Sequence, residues 1–165
     1  TATIAIEAAL TGHLVLSTLH TNDAPSALTR LTEMGVEPFL SASAINCVLA
    51  QRLARRLCRE CREAYTPEPA ALDRIGFPYD PGHLPQLYRA VGCGKCNNIG
   101  YKGRMGVHEV MTMTEEIERA CVEHASGDEI ARIAVQQGMK TLRDDGFEKV
   151  RMGLTSIEEI MRVVV

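Results

Sequence analysis

The stretches CREC at residues 58–61 and CGKC at residues 93–96 decide how the middle of this chain folds. Each stretch spaces two cysteines so that both thiolates can bind one metal ion, and two such pairs complete a tetrahedral site. We therefore predict a structural zinc ion held by Cys58, Cys61, Cys93 and Cys96. Four thiolates leave no position open for water or substrate, so this metal would shape the protein without taking part in catalysis.

A proline-rich stretch from Pro67 to Pro85 lies between the two cysteine pairs. Its apolar residues show no helical or strand period, so we expect it to form no core of its own. A structural zinc ion contributes on the order of 10 kcal/mol of folding free energy, comparable with the net stability of a domain. Loss of the metal is therefore expected to unfold this lobe.

Two disulfides, or four unrelated thiols, are the alternatives to a metal site. With 6 cysteines among 165 residues, the chain is longer and poorer in cysteine than a secreted disulfide scaffold, and no long apolar segment appears in it. Cys47 and Cys121 stand alone in apolar helical patterns, which predicts two small buried hydrophobic residues.

The overall charge does not favour nucleic acid as a partner. Eighteen Lys and Arg against 21 Asp and Glu give a net charge of -3, so general attraction to polyanions is not built in. A zinc ribbon that binds nucleic acid remains the alternative function, although the few aromatic residues argue against it. Five arginines surround the first cysteine pair, and we expect them to compensate the negative charge of a metal bound by four thiolates: Arg52, Arg55, Arg56, Arg59 and Arg62.

The residues before the cysteines indicate an α/β fold. A helical pattern without an N-terminal cap runs to Leu10 and stops at Gly12, which suggests a chain cut from a longer one. The apolar run Leu14–Leu19 predicts a central strand buried on both faces. A helix is expected from Pro25 to Met34, and another from Pro38, whose C-terminal half could equally form a strand. Such an arrangement is typical of an α/β domain, of which this chain would hold the last part.

The residues after the second cysteine pair predict a strand followed by short helices. Glycines and alternation between residues 100 and 110 indicate a tight turn into a strand. Hydroxyl residues stand three positions before a carboxylate in three capping boxes: Ser126 with Glu129, Thr141 with Asp144, and Thr155 with Glu158. We predict three segments, namely residues 1–57 as the end of an α/β core, 58–105 as a zinc-binding lobe and 106–165 as a helical lobe.

Two histidines bracket the predicted strand, one at each end, so they cannot both reach one ligand. Ligands of α/β sheets bind beyond the carboxyl ends of the strands, which favours His20, with Thr21 and Asn22, over His13. In the alternative interpretation His20 only donates to a backbone carbonyl and Asn22 only caps the next helix.

Residues 11–24, TGHLVLSTLHTNDA, resemble the histidine box of the secretion ATPase superfamily, which drives type II secretion and type IV pilus assembly. The resemblance continues through AQRL at 50–53, the four cysteines, GYKGRMG at 100–106, GMKTL at 138–142 and DG at 145–146, and so covers essentially the whole chain. It implies the C-terminal part of a RecA-like P-loop ATPase core over residues 1–57, then the tetracysteine lobe and the helical lobe. The tetracysteine insert is similar to that of type II secretion and pilus assembly members, between which the sequence does not distinguish.

The resemblance also implies a role for one histidine. In that family the second histidine of the box, here His20, lies at the terminal phosphate and reports whether triphosphate is present, so its loss should lower turnover more than stability. ATP and Mg²⁺ would be cofactors of a full-length homo-hexamer. That protein would be cytoplasmic and would reach the inner membrane through a platform protein. The chain contains no G-x-x-x-x-G-K-[ST] phosphate loop and no acidic magnesium-binding strand, so we expect it not to hydrolyse ATP by itself.

Overall fold

The computed structural model of the protein describes residues 1–164, which form eight α-helices and four β-strands. In chain order these elements are α1 (Ala2–Leu10), α2 (Ser26–Glu33), α3 (Pro38–Ala44), β1 (Cys47–Leu57), β2 (Glu63–Tyr65), α4 (Pro69–Arg74), β3 (Leu87–Arg89), β4 (Tyr101–Thr112), α5 (Glu115–Val122), α6 (Gly127–Gln136), α7 (Leu142–Arg151) and α8 (Ile157–Val163). None of the helices in this part of the chain combines the length and the apolar composition needed to cross a membrane.

The elements form two compact units. The first consists of Thr1–Gln51 and His108–Thr141, and the second of Arg52–Val107 and the residues from Leu142 onward. The helices after β4 were predicted as one lobe, but α5 and α6 belong to the first unit whereas α7 and α8 belong to the second. Tertiary packing of their apolar faces, which local helix signals do not encode, decides this division.

Strands β1 and β4 pair with each other, and each has residues in both units. The Cys58 N–H donates to the Gly100 carbonyl at one end of the pair (2.9 Å), and the Met113 N–H donates to the Asn46 carbonyl at the other (3.0 Å), so the strands run antiparallel. The predicted strand after Gly100 is confirmed. The segment after Pro38 forms two elements. Helix α3 ends at Ala44, and the predicted strand alternative is correct for the second half, which forms β1.

The first unit is mainly helical. Ile6, Leu31 and Val36 form a core cluster, against which Ala2, Leu40, Ala44 and Ile45 pack. Helix α2 lies within the predicted limits, because Gly35 follows it with a φ of 85° and stops it. Thr114 and Ser126 cap α5 and α6 by accepting from the N–H groups of Ile117 and Glu129.

The prediction of a buried central strand over Leu14–Leu19 is wrong in this structure. The segment has no strand hydrogen bonds, and Leu14 and Leu16 are 84% and 88% exposed. An apolar segment becomes a sheet strand only when neighbouring backbones pair with it, and the described residues place no strand beside this one.

The second unit contains a small antiparallel sheet, in which β2 pairs with β3 through Ala64 opposite Tyr88. The proline-rich stretch contributes to a core that it shares with the rest of this unit, which agrees with the prediction that it forms no core of its own. Leu72 and Phe77 are buried, and the Phe77 ring packs on Phe147 of α7 with centroids 4.9 Å apart. These apolar residues find their partners in a distant helix, so a periodicity within the stretch was not required.

Two local predictions need correction. Cys121 is buried as predicted, but Cys47 is exposed at the start of β1. Helix α8 is capped by Ser156, which accepts from the Glu159 N–H, one residue later than predicted. The neighbouring Thr155 hydroxyl donates instead to the Arg55 carbonyl (2.8 Å), since its side chain is buried against β1.

Candidate functional site

The four cysteines of the two pairs lie together in the second unit, with all their sulfur atoms within 4.8 Å of one another. Cys58 follows β1, Cys93 precedes the short 3-10 turn Gly94–Cys96, and Cys96 is the last residue of that turn. The Sγ–Sγ distances are 3.9 Å for Cys58–Cys93 and 3.8 Å for both Cys61–Cys96 and Cys93–Cys96. A tetrahedral ion with Zn–S bonds of about 2.3 Å places its ligands about 3.8 Å apart, so these three distances match the spacing that a zinc ion requires.

Disulfides are not formed, because all of these cysteines are free and an S–S bond measures about 2.05 Å. Backbone N–H groups point at the sulfurs. The Gly92 N–H donates to Cys61 Sγ (3.3 Å), and the N–H groups of Cys93 and Gly100 donate to Cys96 Sγ (3.2 Å each). Such hydrogen bonds orient ligating side chains and stabilise thiolate charge.

The thiols differ in their pKa values. Burial raises the pKa of Cys61 to about 12, with the neighbouring thiols adding to the effect. For Cys96 burial also raises the pKa, but the N–H groups of Cys93 and Gly100 and the thiols of Cys61 and Cys93 outweigh it and lower the pKa to about 6.

Cations lie beside the cysteines, as predicted, but they are only partly the predicted ones. A cleft of about 510 Å³ is lined by Leu57, Cys58 and Glu60 together with Arg56, Arg59, Lys95 and Lys102. Arg55 and Arg62 are used differently. Arg55 binds Glu159 and stacks on Tyr101 (4.3 Å), whereas Arg62 stacks on Tyr88 (4.4 Å) and donates to the Gly153 carbonyl.

A second cleft, of about 390 Å³, lies in the first unit and brings together His20, Thr21 and Asn22. Helix α2 and the beginning of α6 complete it with Asp23, Ser26, Thr29, Arg30, Glu33, Ser126, Gly127, Asp128 and Ala131. The His20 side chain is exposed and has no hydrogen-bond partner among residues 1–164, so the alternative in which it donates to a backbone carbonyl is not realised.

The other residues discussed for this cleft have different contacts from one another. At the start of α2, Asp23 Oδ1 accepts from the Ser26 N–H at 2.8 Å. The Thr21 hydroxyl donates to the Asp23 carbonyl (3.0 Å). His13 lies at the end of α1, where its Nδ1 is 3.0 Å from the Thr11 hydroxyl, and it does not line the cleft.

Sequence reasoning missed Glu109. This residue of β4 is 4% exposed, and its Oε1 accepts from the Ala24 N–H at 2.8 Å. Ala24 directly follows the cleft residues His20 to Asp23 in the sequence. The signal that could have found it is the alternation of β4, which places Glu109 on the same face as the buried residues Val107 and Met111.

The arrangement of helices and strands is a mixed α/β fold similar to that of solved structures. The crystal structure of the pilus retraction motor PilT with bound ADP matches with a TM-score of 0.60 at 17% sequence identity, over 97% of this chain and 35% of that one. At this identity the likeness concerns the fold alone. It supports the predicted α/β class, while the layout of lobes follows the two units above.

The chain belongs to the family described as Type II/IV secretion system protein, whose family model matches residues 1–162. It is 50% identical over 161 residues to the type IV pilus assembly ATPase PilB of Thermus thermophilus, covering 98% of this chain and 18% of that protein. It is 46% identical over 163 residues to the type II secretion system ATPase E of Vibrio cholerae, covering 99% of this chain and 32% of that protein. The chain thus spans less than a third of the length of these relatives. Their descriptions do not favour the nucleic-acid alternative.

Proposed function

We propose that this chain is the C-terminal part of a hexameric ATPase that couples ATP hydrolysis to type II protein secretion or type IV pilus assembly, and that His20 senses the terminal phosphate of the nucleotide. The observation that carries the proposal is the cleft in which His20, Thr21 and Asn22 meet, in a chain that belongs to this family. The relatives described as ATPases are similar over nearly the whole chain, which supports the same activity for the full-length protein.

The chemistry assigned to His20 is electrostatic. Hydrolysis of ATP develops charge on the transferred phosphoryl group, and a fixed hydrogen-bond donor near that charge stabilises the transition state. An imidazole that is exposed and unoccupied by protein acceptors can turn its N–H toward a phosphate oxygen. Thr21 and Asn22 complete the binding set with their polar side chains, and Mg²⁺ accompanies the nucleotide in the full-length protein.

The four cysteines are assigned to a structural zinc ion. Tetrahedral coordination by four sulfurs is typical of zinc or of iron–sulfur sites, and the Sγ–Sγ distances fit the zinc geometry. In this assignment the ion stabilises the second unit and stays out of the hydrolytic step.

The remaining proposals follow from the family. The full-length protein is a homo-hexamer on the cytoplasmic side of the inner membrane, held there by a platform protein, and it does not act on nucleic acid. The net charge of -3 supports the last point. Because residues 1–165 contain no phosphate loop, the chain alone is inactive, and the loop and the magnesium-binding carboxylates are supplied by the rest of the protein.

Replacement of His20 tests the proposed function. In the full-length protein, His20→Ala is expected to lower ATP turnover by roughly 100-fold, the order of the loss seen when one transition-state hydrogen-bond donor is removed. Thermal stability should be unchanged, because the side chain is exposed and forms no hydrogen bond with the described residues. His83→Ala, an exposed histidine outside the cleft, is the matched control. Unchanged steady-state turnover in His20→Ala would refute the sensing role.

A further inference from the structure

Glu109 occupies a position that does not suit a carboxylate on packing grounds alone. It lies on β4 between Val107 and Met111 on the same face, which are both fully buried, and is itself 4% exposed. Burial of an ionised carboxylate is costly unless hydrogen bonds replace its water shell, so glutamates are rarely found at such sites without a specific partner.

One partner is the backbone of Ala24. The Ala24 N–H donates to Glu109 Oε1 at 2.8 Å, and Ala24 is fully buried, so water does not compete for this bond. A hydrogen bond from a backbone N–H to a charged oxygen is roughly twice as strong as one between neutral groups. The bond joins residues 85 positions apart in the sequence, and both lie in the first unit.

The segment that donates this hydrogen bond is the one that follows His20. Its internal hydrogen bonds, from the Thr21 hydroxyl to the Asp23 carbonyl and from the Ser26 N–H to Asp23 Oδ1, form a turn that leads into α2. Glu109 therefore links a preorganised turn to a strand that is remote in sequence. His20 lies immediately before this turn and lines the cleft.

We propose that Glu109 is a positioning residue, which anchors the backbone at Ala24 and thereby sets the direction in which His20 presents its imidazole to the cleft. This inference rests on the proposed function of His20. Displacement of a catalytic donor by about 1 Å can reduce a rate by roughly 100-fold, so an anchor four residues away affects turnover without touching the nucleotide.

The first measurement is hydrogen–deuterium exchange of peptides that cover residues 20–28 in the full-length protein. Glu109→Ala removes the acceptor and is expected to increase exchange in these peptides. Glu109→Gln keeps a side-chain oxygen that can accept the hydrogen bond, and it is expected to restore part of the protection from exchange. Unchanged exchange in Glu109→Ala would overturn the anchoring role. If Glu109→Ala does not fold, unchanged exchange in Glu109→Gln together with reduced turnover overturns it equally.

The second measurement separates positioning from general stability through a double-mutant cycle. Alone, Glu109→Gln is expected to lower kcat for ATP by roughly tenfold and to leave KM within about twofold of the native value. In a His20→Ala background it should lower kcat no further, because the two residues act as one unit. Ile117→Val, a mild truncation in the core of the first unit, is the control, and its effect should be the same in both backgrounds.

The outcomes distinguish this inference from the proposed function. Equal effects of Glu109→Gln with and without His20 would mean that Glu109 acts through stability, which refutes the positioning role and leaves the role of His20 intact. Native turnover in His20→Ala would refute the proposed function itself, and the positioning role would fall with it even if exchange at residues 20–28 responded to Glu109.

Discussion

Gly92 and Gly100 let the backbone approach the cysteine sulfurs more closely than a side chain would allow. Their N–H groups donate to Cys61 and Cys96, and both residues have a positive φ, of 122° and 79°. A Cβ atom added at Gly92 would lie 2.7 Å from the Asn98 carbonyl oxygen, well inside van der Waals contact. The geometry of the cysteine cluster therefore depends on residues that carry no ligand atom.

The substitution Gly92→Ala is expected to reduce zinc affinity by roughly tenfold to 100-fold, the range found when groups that orient metal ligands are changed. The added methyl group forces the backbone away from Asn98 and lengthens the hydrogen bond to Cys61. Gly94→Ala is the matched control, since a Cβ there meets nothing within 4 Å and no positive φ is required. Competition with a chromophoric chelator measures both affinities, and equal values would contradict the prediction.

At the level of elements, the carboxylate of Glu159 links α8 to β1 through hydrogen bonds, and its side chain is fully buried. Arg55 donates to it from its side chain (2.6 and 2.9 Å) and from its backbone N–H (2.8 Å), and Arg162 donates at 2.6 and 3.0 Å. The Tyr101 and Ser156 hydroxyls, 2.7 Å apart, add a hydrogen bond beside the network. Burial alone would raise the pKa of Glu159, but the hydrogen bonds from Arg162 and Arg55 outweigh it and lower the pKa to about 2.

Glu159→Gln is expected to destabilise the chain by about 2 kcal/mol, less than for a fully buried pair because both arginine side chains remain about half exposed and can rehydrate. Glu63→Gln breaks the exposed Arg89–Glu63 pair and should change stability by less than about 1 kcal/mol. Urea unfolding followed by circular dichroism compares the two variants.

The difference in stability should also depend on pH. Because the pKa of Glu159 in the folded chain lies below the ordinary 4.5, the stabilisation by its carboxylate is present above about pH 4.5 and is lost as pH falls toward 2. Equal losses in both variants, or a pH-independent difference, would count against this network.

At the level of the molecule, the residues assigned to the nucleotide and to the metal belong to different units. His20 and Glu109 lie in the first unit and the four cysteines in the second. The second unit also has an apolar core, in which Leu72 and Phe77 are buried and Phe77 packs on Phe147 of α7, so a bound metal would not be its only source of stability. Metal loss is therefore expected to loosen the segments around the cysteines most.

Metal analysis of the purified chain should find about one zinc ion per chain. The substitution Cys93→Ser should abolish zinc binding. The control Cys47→Ser changes an exposed cysteine outside the cluster and should leave the zinc content unchanged. Removal of the ion by a strong chelator should increase hydrogen exchange around residues 58–61 and 92–100, and should leave α2 of the first unit as it was. A metal content near zero with native exchange would contradict the assignment.

The sequence could predict those features of the fold that depend on residues close to one another in the chain. The cysteine spacing, the glycines after α1 and α2, and the hydroxyl cap of α6 act within a few residues. The structure brings the four cysteines together and confirms the glycines and the cap of α6. Predictions that needed a partner elsewhere in the chain failed. The Leu14–Leu19 segment lacks a neighbouring strand, and Cys47 is exposed because it belongs to β1 and not to a helix.

The amino-acid sequence by itself determined which residues can ligate a metal and which histidine follows an apolar segment, because residue type and spacing specify that chemistry directly. Only the tertiary structure decided that Glu109 reaches Ala24, that Glu159 joins Arg55, and that the last four helices divide between two units. These contacts link residues 85 and 104 positions apart. The free energy of a buried charge or an apolar face depends on whatever the folded chain places against it, so such pairings are properties of the fold and not of any local pattern.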